Sequence, residues 1–371
     1  MKANGDFEIF LATAPGLEGI LCEEVKAHGF RAPRAVPGGV RIEGRWHDVW
    51  RANLVIRGAS RILARLGSFR ATHLSQIEAR ARQLPWLAML RRDEPVRVEA
   101  ACTRSRIYHT GAVAERVGKA IHDVAGVPVS ADAALSVAAR FEKDICTLSI
   151  DTSGALLHKR GFKVAVAKAP LRENLAALFL RQCGYDGTEP VVDPMCGSGT
   201  FVIEAAEIAA GLPPGRARSF AFERLATFDA EAWQELRDAQ TIRTPAVRFF
   251  GSDRDPNAVA MSRANAERAG VAHLTVVQQC AASALAPPDG PPGLVIVNPP
   301  YGARLGDRKK LQALYRALGQ TLMSKFAGWR VGLVTSDAAL ANATRLPFLA
   351  PSAPVAHGGL RITLFQTHPL A

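Results

Sequence analysis

Three short segments of the sequence combine glycines, prolines and polar side chains in patterns that could bind ligands. The first reads DPMCGSGT and lies between a strand-like run and a helix-like run. Glycines in such a turn let backbone N–H groups approach a ligand at the helix N-terminus, and the acidic residue can bind a cationic or hydroxyl-bearing group. Alone, the segment could also be an ordinary strand-to-helix turn. We expect a cofactor to be bound by these residues: Asp193, Pro194, Met195, Cys196, Gly197, Ser198, Gly199 and Thr200.

The second segment, GSDRDP, ends the next strand-like run. In a doubly wound fold, a carboxylate at this position reaches the ribose hydroxyls of a bound nucleoside. Asp253 falls at the strand end and is the better candidate, with Arg254 as a neighbouring cofactor contact. Asp255 precedes a proline, which favours a helix N-cap.

The third segment, NPPY, follows the apolar run LVIV. A prolyl-prolyl turn is rigid and lacks N–H donors, so the Asn298 side-chain oxygen and the Pro299 carbonyl are left as acceptors near one point. That arrangement suits an amine, and a tyrosine beside it can stack on a planar base. A plain strand-ending turn would explain the prolines alone. We predict that catalysis depends on Asn298, Pro299, Pro300 and Tyr301, with Asn298 also in contact with the cofactor.

The second half of the chain predicts alternating strands and helices. Strand-like runs occur at 191–193, 246–253, 274–279, 293–298 and 329–336, with helix-like runs between most of them. The helix-like run before the last strand places apolar residues on one face, predicted to be its core face: Leu311, Leu314, Tyr315, Leu318, Leu322 and Phe326. Repeated β-α units imply a parallel, doubly wound sheet of the Rossmann-like α/β class. The run APVAH-GG-LRITLFQT predicts a hairpin turned at Gly358 and Gly359, which gives the sheet an antiparallel edge.

The first half predicts two smaller α+β regions. Residues 1–60 read as one unit, residues 61–165 as a second, and residues 166–371 as the doubly wound domain, with a connector at about 160–172. No tandem repeat or long linker interrupts them. We expect order nearly throughout the chain.

The charge balance predicts a polyanionic partner. The formal net charge is +12, and residues 1–170 carry 26 basic and 17 acidic side chains, or +9 of the total. Clustered Lys and Arg gain affinity for phosphates by releasing counterions, although an arginine-rich protein could also use them only for solubility. No apolar run approaches the roughly 20 residues that cross a bilayer, and no signal peptide is evident, so a cytoplasmic location is expected.

The six cysteines indicate neither a metal site nor a disulfide framework. They are scattered, without a CxxC pair or a matching histidine spacing. We expect reduced thiols and no metal.

Together the three motifs resemble those of class I SAM-dependent methyltransferases that modify amino nitrogens. DPMCGSGT resembles the cofactor loop, GSDRD the ribose-binding strand end and NPPY the amino-methylation signature, and the whole is most similar to bacterial 23S rRNA guanine-N2 methyltransferases. SRIYHTGAVAERVGKAI and HKRGFK resemble a THUMP domain, preceded by a ferredoxin-like unit. The resemblance implies S-adenosyl-L-methionine (SAM) as cofactor and an RNA substrate. No obligate protein partner is expected. Candidate phosphate contacts, unless they are only solvated surface charges, are Arg104, Arg106, His109, Lys159 and Arg160.

One departure from the family concerns the adenine of the cofactor. Relatives carry an acidic residue after the strand that matches LTVVQQ, whereas this chain has Cys280, Ala281, Ala282 and Ser283. We expect adenine to be held by the backbone, by Ser283 or by stacking. The alternatives are a tRNA guanine-N2 methyltransferase, a DNA adenine methyltransferase, which a THUMP-like half disfavours, and an RNA-binding assembly factor with a degenerate pocket.

Overall fold

A computed structural model of the chain describes residues 5–163, 171–301 and 308–371. It divides into two compact units. The N-terminal unit comprises Met1–Thr13, Leu21–Leu157 and Arg218–Ala239, and the C-terminal unit comprises Ala14–Ile20, His158–Ala217 and Gln240–Ala371.

The N-terminal unit contains a seven-stranded sheet in the order β2-β3-β1-β4-β7-β6-β5. Its strands are β1 (Phe7–Ala12), β2 (Arg34–Val36), β3 (Gly39–Gly44), β4 (Arg61–Arg70), β5 (Val96–Thr103), β6 (Leu135–Glu142) and β7 (Ile145–Asp151). The helices that lie wholly or partly in this unit are α1 (Glu18–Ala27), α2 (Trp46–Val55), α3 (Leu74–Ala81), α4 (Trp86–Met89), α5 (Thr110–Ala125) and α8 (Ala230–Asp238).

Strand β4 joins the two α+β regions that the sequence predicts. It pairs antiparallel with β1 on one side and with β7 on the other. Ile62 and Ala64 alternate with the less buried Arg61 and Arg65, the period-two pattern of a strand with one buried face. The expected boundary between residues 60 and 61 therefore falls just before a strand of one continuous sheet.

The C-terminal unit contains the second seven-stranded sheet, in the order β10-β9-β8-β11-β12-β14-β13. Its strands are β8 (Val191–Asp193), β9 (Phe249–Asp253), β10 (Thr275–Gln279), β11 (Leu294–Val297), β12 (Arg330–Thr335), β13 (Val355–His357) and β14 (Leu360–Gln366). Its helices are α6 (Glu173–Gln182), α7 (Thr200–Ala209), α9 (Pro256–Arg268), α10 (Arg308–Lys325) and α11 (Ala338–Ala343).

This second sheet confirms the doubly wound class. Strands β10, β9, β8, β11 and β12 run parallel, and β14 and β13 add the expected antiparallel edge. All four residues of β11 are fully buried, as a central strand covered on both faces requires. Helix α10 buries Tyr315, Leu318 and Leu322 against β11 and β12, so the predicted apolar face is its core face.

The boundary between the units differs from the predicted domain boundary. The contact division falls between Leu157 and His158, so the segment HKRGFK belongs to the C-terminal unit. The predicted boundary at 165/166 and much of the expected connector at 160–172 lie outside the described residues.

Two further expectations concern cysteines and membranes. All six cysteines are free thiols, and four of them are buried. Within residues 5–163, 171–301 and 308–371, no helix combines the length and apolarity needed to cross a bilayer.

Candidate active site

The three predicted motifs meet at the carboxyl edge of the second sheet. Asp193 is the last residue of β8, and Asp253 is the last residue of β9. These two strands are parallel neighbours, and Asp193 pairs with Gly251 in their register. Asn298 directly follows β11, and β11 pairs with β8 on the side opposite β9. Ligands of doubly wound sheets bind outside the carboxyl ends of the strands. The fold therefore brings the three motifs to one site.

Backbone hydrogen bonds tie the glycine-rich loop to strand β9. The N–H of Gly197 donates to Oδ2 of Asp253 at 3.1 Å, and the N–H of Cys196 donates to the carbonyl of Ser252 at 2.9 Å. Gly199, the N-cap of α7, has a φ of +83°, in the left-handed region that side chains with a Cβ rarely adopt. A glycine is required there to turn the chain into the helix.

Helix α9 holds the same loop from behind. The Ser262 hydroxyl donates to the carbonyl of Gly197 at 2.8 Å, and the Asn265 amide donates to the carbonyl of Ser198 at 3.0 Å. Both helix residues are almost completely buried. The sequence reasoning missed them. The available signal was their spacing, which puts both on the same face of the helix as the apolar Ala258, Val259 and Ala266.

Asp193 is an acid in an unusual setting. Its carboxylate is 3% exposed and accepts the N–H of Met195 at 3.1 Å. Burial raises the pKa of Asp193 to about 8, and the nearby Asp253 carboxylate adds to the shift. A buried carboxyl group of this kind favours a cationic ligand, because the positive charge would stabilise its ionised form.

The Asn298 side chain presents an unsatisfied acceptor. Its Oδ1 atom is buried and has no hydrogen-bond partner in the described parts of the chain. A buried acceptor without a partner is rare and indicates a missing ligand or water. The observation agrees with the predicted role of Asn298 as an acceptor for an amine.

The prolines after Asn298 are anchored from helix α10. The Tyr315 hydroxyl donates to the carbonyl of Pro300 at 3.3 Å and also contacts the Thr335 hydroxyl at 3.2 Å. Tyr315 is fully buried. It was predicted only as a core residue, and its position beneath the turn adds a role in holding the NPPY corner.

Tyr301 lies at the edge of the core and of a cavity. It is half-buried, packs against the core below the NPPY turn and lines a cavity of about 590 Å³. Burial raises the pKa of Tyr301, so the phenol stays neutral at ordinary pH.

Two predicted cofactor contacts, Arg254 and Ser283, are exposed and are not tied to the glycine-rich loop by any hydrogen bond of the described residues. Arg254 is exposed, and its carbonyl accepts the Gln279 amide at 3.2 Å. Ser283 is exposed, and its carbonyl lies 3.4 Å from the Thr321 hydroxyl. Among the hydrogen bonds of the described residues, none joins either side chain to the glycine-rich loop.

One predicted phosphate contact is corrected by the structure. Arg160 is 1% exposed and its guanidinium donates to Glu204 of α7 at 3.0 Å. A buried, paired guanidinium cannot reach an RNA phosphate. The HKRGFK segment is instead anchored to α7, because Lys163 also donates to the Thr200 hydroxyl at 2.8 Å.

The other predicted phosphate contacts are exposed. Lys159 lies on the surface of the C-terminal unit, while Arg104, Arg106 and His109 lie in the N-terminal unit just before α5. The neighbouring Tyr108, which the sequence reasoning missed, is 69% exposed and its ring centroid lies 4.1 Å from that of His109.

The acceptors at the sheet edge fit the chemistry of SAM. That molecule combines ribose hydroxyls, an ammonium group and a sulfonium centre, all of which favour negatively charged or electron-rich neighbours. Asp253 and Asp193 supply them, and the unpartnered oxygen of Asn298 follows β11 at the same edge. No cluster of three metal-ligating side chains occurs in the described residues.

Comparisons with known proteins agree with this geometry. Residues 160–353 match the RMKL-like methyltransferase domain, and residues 8–63 match the RlmL ferredoxin-like domain. A protein of Psychromonas ingrahamii named ribosomal RNA large subunit methyltransferase K/L is 35% identical over 347 residues, which cover 89% of this chain and 46% of that protein. The chain spans about half the length of the curated relatives it matches.

Solved structures are similar over nearly the whole chain. A predicted N6-adenine-specific DNA methylase from Listeria monocytogenes is 28% identical, with a TM-score of 0.87 and coverage of 98% of this chain and 97% of that one. SMU.472, a putative methyltransferase complexed with S-adenosylhomocysteine (SAH), is 27% identical, with a TM-score of 0.89 and 99% coverage of both chains.

These matches confirm SAM as the methyl donor. The RMKL-like match covers more than half of the chain and includes all three motifs at the sheet edge. The chain therefore belongs to the RMKL-like family of SAM-dependent methyltransferases.

Proposed function

We propose that the chain transfers a methyl group from SAM to the exocyclic N2 amino group of a guanine in 23S rRNA. The observation that carries this proposal is the buried, unpartnered Oδ1 atom of Asn298, which follows β11 at the same sheet edge as Asp193 and Asp253. The ribosomal RNA activity in the name of the Psychromonas relative supports the choice of substrate.

The NPPY corner would activate the amino nitrogen by accepting its hydrogens. The lone pair of a guanine amino group is delocalised into the ring, so the nitrogen is a poor nucleophile until its N–H bonds are oriented. The Asn298 oxygen and the Pro299 carbonyl accept those bonds and stabilise the positive charge that develops on nitrogen. Bound SAM supplies the electrophilic methyl group for direct displacement.

Positioning would account for much of the rate. Holding two reactants in line removes an entropic barrier of up to roughly 7–11 kcal/mol in well-oriented reactions. Tyr315 holds the turn through Pro300, and Tyr301 provides an aromatic face for the base. No strong general base is needed in this scheme.

The N-terminal unit would bind the RNA. Arg104, Arg106 and His109 precede α5, and the exposed Tyr108 ring beside them is suited to stacking on an unpaired base. The THUMP-like character of residues 61–165 remains a prediction that supports this role.

Nucleoside mass spectrometry of cellular RNA tests the proposal. Ribosomal and transfer RNA are purified separately from strains with and without the gene and digested to nucleosides. We expect N2-methylguanosine to fall in ribosomal RNA and to return when the gene is restored. A fall confined to transfer RNA would instead support the tRNA alternative.

An adenine acceptor is the second candidate. An NPPY corner can also accept the N–H bonds of an adenine amino group, and the Listeria protein at 28% identity is named as an adenine-specific DNA methylase. Mass spectra of digested DNA from the same strains distinguish the two, because N6-methyladenine in DNA would change in place of N2-methylguanosine in RNA.

A further inference from the structure

The cavity beside Tyr301 has an aromatic and apolar wall. Its volume is about 590 Å³, within the usual range of ligand pockets, and it lies wholly in the C-terminal unit. Tyr301, Leu171 and Leu360 line it, with Gly358 at the tip of the β13–β14 hairpin. These surfaces suit a flat ring system.

Another part of the lining is strongly cationic. It contains four positively charged side chains, Lys159, Arg160, Lys163 and Arg172, but one carboxylate, that of Glu173. Lys163 pairs with Glu173 at 2.9 Å, and Arg160 is paired with the Glu204 carboxylate. Counting both carboxylates, an excess of two positive charges remains.

Arg172 carries much of this excess. It is the exposed N-cap of α6, and no ion pair involves it in the portions of the chain that the structure describes. Because its guanidinium has five N–H donors in a planar fork, it is suited to bind the oxygens of a phosphate. Lys159, also exposed, adds a second positive charge to the lining.

We propose that Arg172 is a positioning residue for the acceptor: it binds a phosphate that flanks the acceptor nucleotide while the base lies against Tyr301 in this cavity. The inference rests on the proposed function and identifies a contact that positions its substrate. A base pair uses one of the two N–H bonds of a guanine amino group, so the base must leave the pair before the Asn298 oxygen and the Pro299 carbonyl can accept both. Extrusion costs a few kcal/mol, and phosphate contacts at the cavity offset part of that cost.

The test compares Arg172→Ala with two controls. Arg172→Lys keeps the positive charge, and Arg316→Ala removes an exposed arginine on α10 that does not line the cavity. We expect Arg172→Ala to raise the KM for ribosomal RNA by about tenfold, the loss of one charge-assisted hydrogen bond. The slope of log affinity against log salt concentration should fall by about 1. Arg172→Lys should recover most of the affinity, and Arg316→Ala should match the wild type.

SAM affinity, measured by calorimetry, distinguishes this role from a role in cofactor binding. Unchanged affinity in Arg172→Ala is expected and also shows that the variant is folded. A loss of SAM affinity would assign the cavity to the cofactor and overturn the proposal. Equal RNA kinetics for Arg172→Ala and Arg316→Ala would also overturn it.

A small-molecule experiment separates this inference from the proposed function. Binding of guanosine and of guanosine 5′-monophosphate is measured by ligand-observed NMR with SAH present. The wild type should bind the monophosphate more tightly, and Arg172→Ala should lose the difference. Equal binding of the two ligands to the wild type would contradict the phosphate site, whatever RNA the protein methylates. Absence of methyl transfer to ribosomal RNA by the wild type would contradict the proposed function alone.

Discussion

The N–H of Gly197 donates to the carboxylate of Asp253 at 3.1 Å, so the glycine-rich loop after β8 is tied to the acidic residue that ends β9. The other carboxylate oxygen of Asp253 accepts the N–H of Asp255 at 3.0 Å. Each oxygen has a further lone pair for a ligand hydroxyl. Asp253, the proposed ribose contact, thus also holds the glycine-rich loop in place.

Replacing Asp253 should weaken cofactor binding. Asp253→Asn removes the charge with little change of shape, and we expect SAM affinity to fall about ten- to a hundredfold, since hydrogen bonds to charged groups contribute about 1.5–3 kcal/mol. Asp255→Asn is the matched control, because Asp255 caps α9 through the Asn257 N–H and asparagine caps equally well. Calorimetry checks both variants. Equal affinities would show that Asp253 does not bind the cofactor.

Removing the Asn298 side chain should cost methyl transfer while SAM binding is retained. Asn298→Ala deletes the acceptor that orients the amino group, and losing one such preorganised group costs about a hundred- to a thousandfold in kcat. Single-turnover transfer and SAM calorimetry are measured on the same preparation. Near-normal turnover in the variant would reject the catalytic role.

Tyr315→Phe should lower kcat less than Asn298→Ala does. The substitution keeps the ring in the core but removes the hydroxyl that donates to the Pro300 carbonyl. We expect kcat to fall about three- to tenfold, as one hydrogen bond of about 1 kcal/mol is lost, while SAM affinity stays constant. If kcat were unchanged, the hydroxyl would not be needed to hold the corner.

Cofactor binding should release a proton from Asp193. The pKa of Asp193 is raised from 3.8 to about 8, so below pH 8 the carboxyl group of the unliganded protein is protonated. A cationic ligand favours the ionised form, and SAM affinity should therefore rise with pH up to about 8 and then level off. Calorimetry in buffers of different ionisation enthalpy measures the released proton. Asp193→Asn should abolish the pH dependence, and its persistence would refute the assignment.

The same pKa shift sets the sign of an effect on stability. A carboxyl group whose pKa is higher in the folded state binds more protons there than in the unfolded state. Its contribution to stability is therefore full below pH 3.8 and is lost as the pH rises through the folded pKa of about 8. The free energy of unfolding of Asp193→Asn should lack this decline.

The buried pair of Arg160 and Glu204 should matter for stability. Arg160→Met removes the guanidinium from the buried Glu204 carboxylate, and we expect a loss of about 3–5 kcal/mol in the free energy of unfolding. The double variant with Glu204→Leu should recover much of that loss. Denaturant unfolding checks both. A single variant as stable as the wild type would contradict the role of the pair.

The sequence predicted the fold class and three candidate motifs, but not how the strands of the first sheet pair. The motifs were identifiable because the glycines, the acidic strand ends and the prolines are local signals, and parallel strands place their carboxyl ends at one edge. Strand β4 was not predicted, and the boundary at residue 60 fell where β4 joins two parts of one sheet. Local patterns do not reveal which strands become neighbours.

The burial of Arg160 shows the same limit for charged residues. A run of basic residues predicts an exposed, RNA-binding surface. Arg160 instead pairs with Glu204, which lies 44 residues away in the chain. Tyr315 is similar, since its place in an apolar face concealed its hydrogen bond to Pro300. Roles that depend on contacts distant in sequence required the structure.

The most direct measurement is the identity of the nucleoside that the purified protein methylates. Unmodified 23S rRNA is incubated with the protein and with SAM carrying an isotopically labelled methyl group, then digested and analysed by mass spectrometry, with Asn298→Ala in parallel. We predict that label appears as N2-methylguanosine with the wild type and is absent with the variant. Label in a ribose, at a ring nitrogen or in no nucleoside, or equal label with Asn298→Ala, would contradict an amino nitrogen activated by the NPPY corner.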